Sequence, residues 1–176
     1  MAHQQQFDFV SGIASFFPNN FANCKVLEVG SLDINGSVRQ FFTGCEYIGI
    51  DLGQGRGVDV VCQGQDYDAP DNTFDTVISC ECFEHNPDWV TTFANMHRMV
   101  KPEGLIVMSC ATTGRAEHGT KRTSPADAPF CDDYYKNLTE QDFLDNLNID
   151  SMFAAYEFGV GEETRDLYFY GVKKLL

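Results

Sequence analysis

The sequence predicts an α/β fold organised on a mostly parallel sheet, and three observations carry that expectation. Short apolar runs alternate with segments of helical spacing through most of the chain. The run Val26-Leu27-Glu28-Val29 stops at Gly30, and after a loop and a short helical pattern the run Tyr47-Ile48-Gly49-Ile50 ends on Asp51, which reads as strand, tight loop, helix, strand. Two final apolar runs, separated by Gly159 to Glu163, close the chain as a hairpin.

The elements follow in order. Phe7, Val10, Ile13, Ala14 and Phe17 keep helical spacing until Pro18, predicting an amphipathic helix over about 5–17, packed on the sheet or over a ligand. After the first strand, Val38, Phe41 and Phe42 share one side of a short helix. Val58 to Val61 is a third strand, and its connection from Asp51 is too short for a crossover helix, so a Gly-rich loop replaces it. Cys62 to Asn72 is polar and irregular, and Phe74 to Ser79 is the fourth strand. Asn86 as N-cap and Pro87 in the first position open a helix with Trp89, Phe93, Met96 and Val100 on one face. Lys101-Pro102-Glu103-Gly104 ends it, and Leu105 to Met108 is the fifth strand. Residues 111–136 form a polar loop, and a loop of that length inside a domain is usually functional or mobile. Thr139 and Asp142 stand at capping-box spacing before a helix faced by Phe143, Leu144 and Leu147. Ile149 to Phe158 and Leu167 to Val172 are the closing strands.

A length of 176 residues fits one domain, and 43% apolar residues with 15 Phe are enough for a sizeable core. A net charge of −14 argues against a broad nucleic-acid or anionic-membrane surface, which needs clustered Lys and Arg. The odd count of seven cysteines (Cys24, Cys45, Cys62, Cys80, Cys82, Cys110 and Cys131), with no CxxC pair, favours reduced thiols and a cytoplasmic setting. Neither a signal-peptide pattern nor an apolar stretch of bilayer-spanning length is expected.

In an open parallel sheet, ligands bind outside the carboxyl ends of the strands. Gly30 and Gly36 let the backbone approach a ligand, and Asp51 has the acceptors for a ribose diol. No GxGxxG follows the first strand, so a pyrophosphate cradle is missing, which argues against an NAD-dependent enzyme. Glu28 inside the strand would repel a phosphate and could order a loop around a cation. Asp33 either joins that site or caps the turn.

At Glu28, Gly30 and Asp51 the chain resembles the class I S-adenosylmethionine-dependent methyltransferases, in their small type-11-like group. Their first motif runs strand, acid, any residue, Gly, and their second strand ends in an acid. Leu32 and Ile34 stand where further glycines are common. Ser79 to His85 resembles the family's fourth motif, and Asp133 to Thr139 the segment before the last helix. The resemblance implies one domain over 1–176 with a doubly wound, seven-stranded, mostly parallel sheet, an antiparallel last strand, and trimmed helices after strands two and three. It implies S-adenosylmethionine as cofactor and S-adenosylhomocysteine as product, bound by Glu28, Gly30, Ser31, Asp51, Leu52, Gln63, Gly64, Cys80 and Glu81. Glu28 is expected to bond loop amides near the methionine amino group, Leu52 to pack on the adenine, and Gln63 and Gly64 to read its exocyclic amine; an exposed polar loop is the alternative for Gln63.

His85 is the nearest thing to a general base, with capping or packing as its other reading. Strand alternation points Cys80 and Cys82 to one face and Glu81 to the other, and no second ligand pair is spaced to complete a tetrahedron, so no metal site is expected. Residues 111–136 leave the same sheet edge as Asp51 and are the expected substrate lid, with Arg115, His118 and Tyr134 as substrate contacts. Its cations would bind an anionic substrate or neutralise nearby acids. The reading is methyl transfer to a small-molecule or glycan-type acceptor; the alternative is a non-catalytic S-adenosylmethionine-binding or regulatory module. The oligomeric state is left open.

Overall fold

The computed structural model describes residues 3–175. Its strands are β1 (Lys25–Val29), β2 (Glu46–Asp51), β3 (Val60–Val61), β4 (Phe74–Cys80), β5 (Val100–Ala111), β6 (Phe153–Gly161) and β7 (Asp166–Lys173). They form one seven-stranded sheet in the order β3-β2-β1-β4-β5-β7-β6. The first five pair in parallel, while β7 runs antiparallel to both β5 and β6. The chain reverses direction across the sheet at β1: it moves outward to β2 and β3, then returns to add β4 on the other side. That switch point leaves a crevice at the strands' carboxyl ends.

Strand alternation divides the core into two layers. Leu27, Val29, Val77, Ile106 and Met108 face α2 (Trp89–Met99), α3 (Glu140–Asn146) and α4 (Ile149–Met152). Val26, Ile78, Leu105 and Val107 face α1 (Gln4–Phe16) and a 3-10 turn at Val38–Phe41. Phe143 of α3 is fully buried and touches the rings of Phe83, Trp89, Phe93 and Phe158. Helix α3 begins with the predicted capping box, Thr139 and Asp142 bonding reciprocally.

Several boundaries differ from the sequence reading. No α-helix lies between β1 and α2. The trimming predicted after the second and third strands therefore extends to the first, where Val38 and Phe41 need only a 3-10 turn to reach the layer that α1 already covers. The third strand keeps two residues, and Val60 and Val61 stay largely exposed at the sheet edge. Helix α2 starts two residues later than predicted: Asn86 caps through its side chain onto the Asp88 amide, before the helix proper. The stretch Lys101 to Gly104 is strand, not terminator, because the pairing with β4 shifts register there and Glu103 adopts φ 61°. Ile149 to Met152 forms a helical turn before β6. Among the described residues, no helix is long and apolar enough to cross a membrane.

Phe143→Ala should destabilise the fold by about 3–5 kcal/mol, since a fully buried ring is removed from a packed aromatic cluster. Chemical denaturation followed by far-UV circular dichroism measures it.

Candidate active site

Above the carboxyl ends of β1, β2 and β4 lies a cavity of ≈ 480 Å³. It is lined by all nine residues expected to hold the cofactor, from Glu28 to Glu81, together with His85.

The turn after β1 is shaped by contacts on both sides. Gly30 has φ 81°, and a Cβ there would lie 2.6 Å from Cys82 Cβ. The amides of Gly30 and Ser31 both donate to Ile50 O, at 2.9 and 3.1 Å. Gly30 is thus required by close packing on Cys82, and the turn is stapled to β2. Asp51 completes the staple: one carboxylate oxygen accepts from Leu32 N at 2.9 Å and the other from Leu52 N at 2.7 Å. Each oxygen keeps a further lone pair, as a diol requires. Burial raises the Asp51 pKa, and the amides of Leu32, Leu52 and Gly53 hold it down. Asp33 caps the turn: it accepts from Gly36 N at 2.8 Å and pairs with Arg56. Leu32 and Ile34 line the cavity without closing it.

Glu28 lies on the α1 side of the sheet and is 5% exposed. Its hydrogen-bond donor is the Tyr47 hydroxyl at 2.8 Å, not the loop amides expected from sequence. Burial pushes its pKa up to about 8, with Asp51 and Asp33 adding to the rise and the Tyr47 hydroxyl and Arg39 opposing it. A buried acid with one donor prefers to be neutral. Gln63 accepts from the Gln65 amide, and the Gly64 carbonyl is taken by Asn95.

Strand β4 ends at Cys80, and Glu81 turns the chain at φ 53°. This breaks the alternation predicted for Cys80, Glu81 and Cys82. Cys80 packs in the α1 layer and Cys82 in the opposite layer, under Gly30. A non-glycine residue held at positive φ is strained, and such strain gathers at functional sites. Glu81 accepts from Ser109 Oγ at 2.9 Å, and burial raises its pKa to about 7. Burial, with His118 alongside, lowers the His85 pKa to about 4.

The lid reaches the cavity through residues 127–132, so Arg115, His118 and Tyr134 are corrected as wall residues. Arg115 instead pairs with Asp166 at 3.1 Å, a residue with no exposed surface. His118 packs against His85, ring centroids 5.1 Å apart. The cations Arg122 and Lys136 pair with Glu117 and Asp142. They neutralise local acids and do not face the cavity. The sequence reading also missed Gln6, a cavity residue at 3% exposure. Its signal was present: Gln6 lies four and seven residues before Val10 and Ile13, a polar residue on the apolar stripe.

Residues 27–108, just under half of the chain, match the family model of a methyltransferase domain. The match runs from β1 to β5 across the loops that line the cavity. Among curated proteins, phosphoethanolamine N-methyltransferase 2 of Caenorhabditis elegans is 32% identical over 75 residues, 42% of this chain; the chain spans only 16% of that protein's length. Two solved structures share the fold. One is the Burkholderia thailandensis 1,6-didemethyltoxoflavin-N1-methyltransferase with bound 1,6-didemethyltoxoflavin and S-adenosylhomocysteine, at TM-score 0.67 and 18% identity, covering 96% of this chain and 78% of that one. The other is the Haemonchus contortus phosphoethanolamine N-methyltransferase 2 with S-adenosyl-L-methionine, at TM-score 0.67 and 15% identity, covering 97% of this chain and 53% of that one.

Gly30→Ala should cost about 2 kcal/mol or more, because an L side chain at positive φ is strained and its Cβ overlaps Cys82. A thermal melt against wild type checks this.

Proposed function

We propose that this chain binds S-adenosylmethionine in the cavity and transfers its methyl group to a small molecule. The observation that carries the reading is the placement of Glu28, Gly30 and Asp51 on one cavity wall, with Asp51 binding both Leu32 N and Leu52 N. The donor set suits the cofactor. Asp51 keeps acceptor capacity for ribose hydroxyls, Leu52 is 42% exposed beside it for the adenine, and Glu28 offers a carboxylate to an ammonium. The buried Ser31 hydroxyl has no protein partner, a polar atom left over for a ligand.

When bound, S-adenosylmethionine supplies a sulfonium-activated methyl carbon. The chain's own residues then have to orient the acceptor and exclude water, which supplies much of the rate. Gln6 from α1 and residues 127–132 from the lid both contribute to the cavity wall. A neutral or cationic acceptor is favoured over an anionic one. The lining holds six acids, Glu28, Asp51, Glu81, Asp88, Asp127 and Asp132, and no Lys or Arg. An anionic group would enter against that field, whereas a sulfonium or ammonium enters with it. Sugar-like acceptors remain within this class. With its pKa at about 4, His85 is a poor proton acceptor, so a positioning role fits it better than general base.

Calorimetry with S-adenosylhomocysteine tests the reading. Asp51→Ala should weaken binding by about 1–3 kcal/mol through lost charge-assisted hydrogen bonds. An absence of heat with wild type, or unchanged affinity in the variant, overturns it. Binding without transfer to any acceptor pool leaves the regulatory module standing.

Glu28 makes binding pH-dependent. With its pKa at about 8 in the free protein, the group is mostly protonated at pH 7. An ammonium seated beside it favours the carboxylate, so binding releases a proton. Affinity should therefore rise with pH up to about 8, and the calorimetric heat should change with the ionisation heat of the buffer. Glu28→Gln should abolish both effects. In the free protein the sign is opposite: a raised carboxyl pKa makes its stability contribution full below the group's ordinary value of 4.5 and lost as pH rises through about 8.

A further inference from the structure

Beside the cavity, three buried side chains converge with their polar atoms unused. Glu84 follows β4 in a 3-10 turn and has no exposed surface. Neither of its carboxylate oxygens accepts a hydrogen bond of ordinary geometry, although the amides of Glu84 and Ala111 lie near. His85, 6% exposed, leaves Nδ1 without a partner. His118, 9% exposed and carried in by the lid, leaves Nε2 without one and holds it 3.8 Å from Glu84 Oε1. One ligand atom from each residue falls within 4.8 Å of the others. An unpaired buried polar group costs about 1–3 kcal/mol, so several orphans in one spot need a reason.

We propose that Glu84, His85 and His118 bind a divalent first-row transition metal ion. A second contact fixes one imidazole for it. The Nδ1–H of His118 donates to Ala116 O at 3.1 Å, which leaves the lone pair on Nε2. His85 keeps Nδ1 buried and unpartnered, so that nitrogen is open to a metal. Orientation of a metal-binding imidazole by a hydrogen bond from its other nitrogen is the usual arrangement. Tyr135 packs on both rings, and its hydroxyl donates to the same Ala116 carbonyl. Gly119, at φ 66°, lets the lid backbone pass over His85, where a Cβ would lie 2.6 Å from the ring.

Two imidazoles and one carboxylate suit zinc, cobalt or iron in the divalent state better than calcium or magnesium, which take mostly oxygen. Donors around a tetrahedral ion with bonds near 2.1 Å stand about 3.4 Å apart, so side-chain rotations of a few tenths to about one ångström close the site. His85 also lines the cavity, so the cluster adjoins it. The absence of a metal site was expected from the local spacing of Cys80 to His85, and the third ligand arrives from 33 residues further on. A second cluster, His3, Glu81 and Asp166, is the weaker candidate, because His3 and Arg115 already pair with Asp166. The proposal stands apart from methyl transfer.

The test uses the full chain, stripped with chelator and titrated with Co(II) under visible absorption, with stoichiometry from elemental analysis. One ion per chain is expected, with ligand-field bands and no thiolate charge-transfer band from the seven cysteines. Glu84→Gln and His118→Gln should each weaken binding by about 100-fold or more, the upper end for loss of even an outer contact, while His3→Gln leaves it unchanged. No bound ion, a thiolate band, or wild-type affinity in both variants overturns the proposal. Where a variant fails to fold, X-ray absorption of the cobalt-loaded wild type decides: imidazole and oxygen donors support the site, and sulfur donors sink it.

Discussion

The turn at Gly30 is the constraint on which the cavity depends. Its left-handed backbone directs two successive amides onto Ile50 O, while Cys82 fills the space that a side chain would need. Three strands are thereby registered at their carboxyl ends: β1 through the turn, β2 through Ile50 and Asp51, and β4 through the loop that carries Cys82. Asp51 binds Leu32 N across this junction, so the carboxylate that faces the cavity also fixes the loop opposite it. One side chain thus serves both the cavity wall and the turn. The missing crossover helices matter less than they would elsewhere, because α1 and the 3-10 turn at Val38–Phe41 pack on one layer of the sheet.

Charge is distributed to the same end. Acids gather on the cavity wall, and the lid's Arg115, Arg122 and Lys136 pair with Asp166, Glu117 and Asp142, none of which lines the cavity. The chain's net charge of −14 is therefore not only a solvated surface. Part of it is a field directed at one crevice with low-dielectric walls, where it acts more strongly than in water. Glu28 is one of these acids. Burial, with Asp51 and Asp33 adding to it, pushes its pKa up, and a cation beside it would favour the charged form.

Much of this was legible in the residues. The acid-x-Gly at the end of β1 and the acid at the end of β2 located the cavity, because strand ends and glycine turns are local signals. The capping box of α3 was local too. What failed was whatever depended on packing from afar. Val38, Phe41 and Phe42 have helical spacing, yet a 3-10 turn satisfies them because the α1 layer already lies beneath. Lys101 to Gly104 contains Pro and Gly, yet pairing with β4 and β7 extends the strand on either side of them. Arg115 was read as facing a substrate, and its true partner, Asp166, lies 51 residues away at the start of β7. No spacing rule reaches that far.

That same aspartate shows how the two covers of the cavity are joined. Asp166 has no exposed surface, and its carboxylate meets His3 Nε2 at 2.8 Å on one oxygen and Arg115 at 3.1 Å on the other. His3 caps α1 by accepting from Gln6 N, and Gln6 is the residue that α1 sends into the cavity. Arg115 stands at the root of the lid, where its carbonyl also accepts from Asn137 on the far stem. Burial alone would raise the Asp166 pKa; the bonds from His3 and Thr164 and the charge of Arg115 hold it below the usual range, so the anion persists. One buried charge thus ties together the helix and the lid that each send residues into the cavity wall. Removing it would take the carboxylate from the half-buried His3 and Arg115, leaving Arg115 its bond to Thr164 O. Helix α1 and the lid are thus tied together through β7, the one antiparallel strand, set between β5 and β6.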